Sequence, residues 1–125
     1  MTGGGKGIAA ECALALGRET GARLALMGRS DPAVDKELAE NLARFTAAGV
    51  RCAYVRADVT DAEAVRQAVA EAEQKLGPVT AFLHGAGTNT PQLIGALEEA
   101  AFRRTVAPKM QGVRNVLAAV DQDRL

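Results

Sequence analysis

No apolar run in the sequence approaches the roughly 20 residues needed to span a bilayer. The opening stretch Met1-Thr2-Gly3-Gly4-Gly5-Lys6 also lacks the apolar core of a signal peptide. Both absences point to a cytoplasmic protein without a membrane partner. Cysteine is scarce: Cys12 and Cys52 stand apart without metal-ligand spacing, in a helix-like and a strand-like stretch, and are expected as buried free thiols. No metal site is expected. A surplus of one charge is missing too, because fifteen Lys and Arg balance fifteen Asp and Glu. That leaves no basic face for nucleic acid or an anionic surface. What is present is 48% hydrophobic and 24% charged over 125 residues, the mixture of one small globular unit that buries a core.

Helical and strand patterns alternate along the chain, which is the signature of βαβ units around a parallel sheet. A helix is predicted from Gly7 to Thr20, with Gly21 placed to end it, followed by an apolar strand over Ala22–Met27. Asp31-Pro32 reads as the start of a second helix, an N-cap acceptor followed by proline at the first helical position. Its expected buried stripe is Leu38, Leu42 and Phe45, with Lys36, Glu37, Glu40 and Arg44 facing water and Gly49 as terminator. A strand over Val50–Ala57 follows. Thr60-Asp61-Ala62-Glu63 reads as a capping box before a helix whose core face is Val65, Val69, Ala72 and Leu76. Gly77-Pro78 ends that helix, and Val79–His84 reads as another strand. The last predicted helix covers Glu98–Val120, with Phe102, Val106, Met110, Val113 and Leu117 on one face and a bend at Pro108.

These elements make an α/β fold: a Rossmann-like doubly wound parallel sheet. The order begins with a helix, whereas a phosphate-binding glycine loop belongs after a strand. In the strand order 3-2-1-4-5-6, the strand expected before Thr2 is the central one. The chain therefore reads as a partial dinucleotide-binding unit over residues 1–125, lacking its first strand and its C-terminal strands, with Met1 either a true start or the product of a shortened reading frame.

Four groups of residues fall at the carboxyl ends of the predicted strands, the edge where open α/β sheets bind ligands. Gly3, Gly4, Gly5, Lys6, Gly7 and Ile8 form a tight turn opening a helix, where the backbone can approach a diphosphate and helix amides favour an anion. Gly28-Arg29-Ser30 occupies the place where an acidic residue would select NAD. A guanidinium there can instead grip a 2′-phosphate, which points to NADPH. Asp58 and Val59 stand where the adenine would be covered, although Asp58 reads equally well as a carboxylate near a helix start. Gly85, Ala86 and Gly87 would pass beside the cofactor ribose, and His84 before them reads as a packed strand-end residue.

The stretches Thr2-Gly-x-x-x-Gly7-Ile8, Gly28-Arg29-Ser30, Ala57-Asp58-Val59-Thr60, His84-Gly-Ala-Gly87 and Lys109-Met-x-Gly112-x-x-Asn115 resemble short-chain dehydrogenases/reductases. The ketoreductase domains of type I polyketide synthases and related fatty-acid-like multienzymes are the most similar. That resemblance implies NADPH-dependent reduction of a β-ketoacyl thioester on an acyl carrier protein, inside a multidomain synthase. It also implies that Lys109 is the catalytic lysine, holding the nicotinamide ribose and lowering the pKa of a tyrosine acid. Two departures stand out. Ala9 replaces a glycine common in the family, and the one tyrosine, Tyr54, lies in a predicted strand, so the family's Ser and Tyr are expected outside this chain. The isolated chain is expected to be inactive. A non-catalytic ketoreductase-like module stays open as an alternative, as does another nucleotide-binding Rossmann domain such as a methyltransferase.

Overall fold

A computed structural model describes residues 1–125. Two strands pair in parallel, β1 (Leu24–Gly28) and β2 (Cys52–Arg56), in the register Leu24 to Cys52 through Gly28 to Arg56. Four helices surround them: α1 (Gly7–Thr20), α2 (Lys36–Ala47), α3 (Ala62–Leu76) and α4 (Glu99–Ala119). Alternation along β1 divides the core between its two faces. Leu24 and Leu26 pack with Ala13, Phe45 and Val50 on the α1 and α2 side. Met27 and Val55 pack with Val65, Val69, Ala72, Val116 and Val120 on the α3 and α4 side. Helices thus cover both faces of a parallel sheet, as a doubly wound α/β fold requires.

The sheet extends beyond the single β1–β2 ladder by isolated bridges. Thr2 bridges Met27 on one side and His84 on the other, both in parallel. The Met1 amino group donates to the Ala25 carbonyl at 2.6 Å. Thr2 N donates to Leu83 O, and Gly3 N to Met27 O. The slot read from sequence as empty is therefore filled at its carboxyl tip by Met1 and Thr2. The expected strand over Val79–His84 forms no ladder, only the bridge at His84. Two residues are too few to pair with the rest of it.

Helix ends follow the sequence more closely than helix starts. Gly21, Gly49 and Gly77 all carry positive φ, at 69°, 71° and 87°, where a β-carbon would be strained. The second helix, by contrast, starts at Lys36 and not at Asp31-Pro32; Asp35 is its N-cap. Asp31 builds a preceding turn instead, its carboxylate accepting from Ala33 N at 2.9 Å and its carbonyl from Asp35 N at 2.8 Å. The capping box is also replaced. Asp61 caps α3, accepting from Glu63 N and Ala64 N, while Thr60 donates its hydroxyl to Asp58 at 2.7 Å. Glu63 turns outward to Arg66 and Gln67.

The buried face of α4 is rotated from the expected one. Phe102 and Met110 are 53% and 55% exposed, and the buried residues are Gly112 and Val116. Gly112 decides this, because a β-carbon there would lie 2.8 Å from Val59 and 3.1 Å from His84. The helix approaches the sheet through its smallest residue. Cys12 is exposed rather than buried, since the inner face of α1 is Ala10, Ala13 and Gly17. No helix is long and apolar enough to cross a membrane.

Candidate functional site

The carboxyl ends of the strands open into a cleft of about 960 Å³. Its floor is the glycine loop. Gly3 has φ 70°, and a β-carbon there would stand 2.7 Å from the Gly85 backbone, so the loop and the 85–87 stretch touch main chain to main chain. Gly7, at φ 57°, has nothing within 4 Å of the place a β-carbon would take. Asn41, buried on α2, donates to Gly5 O at 3.0 Å and accepts from Arg44 at 2.9 Å. Arg44 in turn makes a two-point pair with Glu11 of α1, at 2.7 and 2.9 Å. A fork on α2 thus fixes α1, and an amide beside it fixes the loop.

Almost all the residues expected at the site line this one cleft. From the loop come Gly3, Gly5, Lys6, Gly7 and Ile8; from the tip of β1 come Gly28, Arg29 and Ser30. Asp58 and Val59 follow β2, and Gly85, Ala86 and Gly87 follow His84 on the same rim. Gly4 is the first of two exceptions. It is buried behind the loop, where a β-carbon would stand 2.9 Å from Leu26. Lys109 is exposed on α4 and does not line the cleft, but its Cε would lie 3.3 Å from a β-carbon on Gly87. Its stem therefore runs beside the rim. Arg104 and Thr105, also on α4, line the cleft without any sequence signal having marked them.

The cleft carries cations held by half-buried carboxylates. Lys6 Nζ lies 2.7 Å from Asp35, and that bond, with the Leu38 amide, holds the Asp35 carboxyl down at about 2. Arg29 faces Asp58 at a looser 3.7 Å. Partial burial pushes Asp58 up, but bonds from the Thr60 amide and hydroxyl and the charge of Arg29 outweigh it and lower its pKa. Gly7 N donates to Glu37 at 2.9 Å. Tyr54 donates to Ser30 O at 2.8 Å, so its hydroxyl braces the turn after β1, and burial raises its pKa.

Beneath the rim runs a hydrogen-bond chain with a fixed direction. His84 Nε2 lies 3.0 Å from Pro108 O, a carbonyl that can only accept, so the ring proton sits on Nε2. Nδ1 then accepts from the Thr2 hydroxyl at 2.8 Å, and Thr2 Oγ1 accepts from Ala86 N at 3.3 Å. His84 is fully engaged as a strand-end support. Sequence reasoning did not find Asn41, Thr2 Oγ1 or Glu37. Asn41 left one trace, a lone polar residue beside the apolar stripe Leu38, Leu42 and Phe45.

The KR domain family matches residues 1–125. The chain is 35% identical over 119 residues to glycine betaine reductase ATRR of Emericella nidulans, covering 95% of this chain and 9% of that protein. It is 38% identical over 115 residues to galactitol 2-dehydrogenase (L-tagatose-forming) of Cereibacter sphaeroides, covering 90% and 41%. Erythronolide synthase EryA3 of Saccharopolyspora erythraea is 36% identical over 121 residues, covering 93% and 4%. The chain thus spans less than half the length of each of these relatives. Among solved structures, an alcohol dehydrogenase from Thermococcus sibiricus complexed with 5-hydroxy-NADP matches with TM-score 0.83 and 28% identity, covering 100% of this chain and 51% of that one. An actinorhodin polyketide ketoreductase variant with NADPH matches with TM-score 0.83 and 26% identity, covering 94% and 43%. With residues 1–125 matched and a glycine-floored cleft at the tips of a parallel sheet, the chain belongs to the ketoreductase (KR) domain family of short-chain dehydrogenases/reductases.

Proposed function

We propose that the chain is the cofactor-binding part of an NADPH-dependent ketoreductase that reduces a β-ketoacyl thioester, carried on an acyl carrier protein, to the β-hydroxyacyl form within a multidomain synthase. One observation carries the reading. Arg29 lines the same cleft as the glycine loop Gly3–Gly7, one strand tip away. A diphosphate and a 2′-phosphate on one molecule can therefore meet an amide-rich turn and a guanidinium together.

The residues present fit such a cofactor. Gly3 admits no β-carbon, and Gly7 leaves open space at the start of α1, as a backbone cradle for an anion needs. Lys6 and Arg29 supply two cations, and each is held by one half-buried carboxylate while its own charged end stays open to solvent. When bound, NADPH supplies the hydride. Asp58 and Val59 would lie beside its adenine, and Gly85 to Gly87 beside the nicotinamide ribose. Lys109, with its stem against Gly87, would hold that ribose. A proton donor to the developing alkoxide is the other requirement, and Tyr54 cannot serve, because its hydroxyl is committed to Ser30 O at 2.8 Å. The relative EryA3 and the NADPH-bound ketoreductase support the synthase setting and the cofactor.

Titration of cofactor fluorescence tests this. Arg29→Ala should weaken NADPH binding about ten- to hundredfold, the worth of a charge-assisted hydrogen bond, and change NADH binding by less than about twofold. Equal losses for both cofactors would remove Arg29 from the 2′-phosphate. The same preparation should reduce no β-ketoacyl thioester mimic.

A further inference from the structure

The amide at the start of α1 already has an anion on it. Gly7 N donates to Glu37 Oε1 at 2.9 Å across 30 positions of sequence. Glu37 stands exposed on the first turn of α2 and lines the cleft. Two cations of the cleft are matched in the same way, Lys6 by Asp35 at 2.7 Å and Arg29 by Asp58 at 3.7 Å. Each of these three groups is met by a carboxylate of the chain itself.

The three carboxylates differ in what else they do. Asp35 caps α2 through the Leu38 amide at 3.1 Å. Asp58 holds the amide and hydroxyl of Thr60, at 2.9 and 2.7 Å. Glu37 makes no other hydrogen bond and no ion pair, so nothing but Gly7 keeps its side chain where it is. A long exposed side chain with a single partner can swing away at little cost.

We propose that Glu37 is a built-in competitor for the cofactor: its carboxylate holds the Gly7 amide, and a cofactor phosphate must displace it to bind. This rests on the NADPH reading above. One N–H serves one acceptor well, so Glu37 and a phosphate oxygen cannot share the Gly7 amide. A carboxylate left beside the bound phosphate would also repel it. Glu37 therefore completes the helix start in the free protein and sets a threshold of charge that a ligand must exceed. Adenosine without phosphates would not displace it.

The experiment measures dissociation constants for NADPH and NADH by fluorescence titration, on the chain with Glu37 and on Glu37→Ala and Glu37→Gln, at one ionic strength. Glu37→Ala removes both acceptor and charge and should bind NADPH about three- to tenfold more tightly, the usual worth of one displaced hydrogen bond. Glu37→Gln keeps an acceptor without the charge and should gain less. Equal gains for NADH and NADPH identify the diphosphate as the displacing group. A gain confined to NADPH identifies the 2′-phosphate; either result supports the proposal. Unchanged or weaker NADPH binding in both variants would mean that Glu37 positions the loop rather than competes, which overturns the proposal and leaves the NADPH reading standing. If none of the three proteins binds NADPH, both fall.

Discussion

Thr2 is 2% exposed, and its hydroxyl joins residues that lie 82 and 84 positions away in sequence. It gives its proton to His84 Nδ1 and takes one from Ala86 N, so both of its roles are used at once. Thr2→Val keeps the shape and strips the oxygen, leaving a ring nitrogen and a backbone amide without a partner. That should destabilise the fold by about 1–3 kcal/mol, read from urea denaturation, while Thr2→Ser should recover most of it. A loss under about 0.5 kcal/mol would show that the hydroxyl does not satisfy those groups. The sequence marks Thr2 only as the start of a glycine turn. Its bonds close through tertiary contact, and no local spacing encodes them. Asn41 is similar, readable as an anomaly on an apolar stripe but not as the residue that holds Gly5. By contrast Arg29 is legible from sequence, because its place at a strand tip follows from chain order alone.

Among the elements, boundaries separate into those set by stereochemistry and those set by competition. The glycines ending α1, α2 and α3 are legible because positive φ is a property of one residue and needs no partner. Helix starts depend on which of several nearby acceptors wins. Thr60 and Asp61 are adjacent, and Asp61 takes both amides because its carboxylate is the stronger acceptor, while Thr60 turns to Asp58. Asp61→Ala should therefore cost about 1 kcal/mol of stability, and Thr60→Ala clearly less, both measured by urea denaturation. Equal costs would return the cap to Thr60. The rotated face of α4, which leaves Val106, Val113 and Leu117 half-buried and exposes Phe102 and Met110, has a different cause. Apolar size marks Phe102, Val106 and Met110, but closest approach belongs to the smallest residue, and Gly112 sets the rotation.

For the molecule as a whole, the alternation of periods was enough to give a parallel sheet with helices on both faces and a cleft at its carboxyl edge. It could not give the extent of pairing, because that depends on how many residues occupy the central slot, and here Met1 and Thr2 alone do so. The two sides of that cleft are tied together by carboxylates, which makes stability depend on acid. Asp35 is held near 2 by Lys6, against 3.8 for a free aspartate. Arg44 lowers Glu11, Arg66 lowers Glu63, and Thr60 with Arg29 lowers Asp58. Each of these groups binds protons less readily folded than unfolded, so the unfolded chain takes up more protons as pH falls. Their contribution is complete above the unfolded values of 4.5 and 3.8 and is lost below them, for Asp35 down to about 2. Thermal melts should show a first, shallow fall from about pH 8 to 6, where burial holds the Met1 amino group down at about 6 and the unfolded chain takes up its proton first. A second, steady fall should run from pH 4.5 toward 2. Asp35→Asn should lower the plateau and flatten the most acidic part of the curve, since it leaves no proton to gain there. Added salt should shrink the part of that slope that comes from the exposed Arg44–Glu11 and Arg66–Glu63 pairs more than the part from the half-buried Lys6–Asp35 pair. A melting temperature constant from pH 5 to pH 2.5 would mean that the Lys6–Asp35 and Arg44–Glu11 ties, which join the loop and α1 to α2, contribute nothing to the stability of the fold.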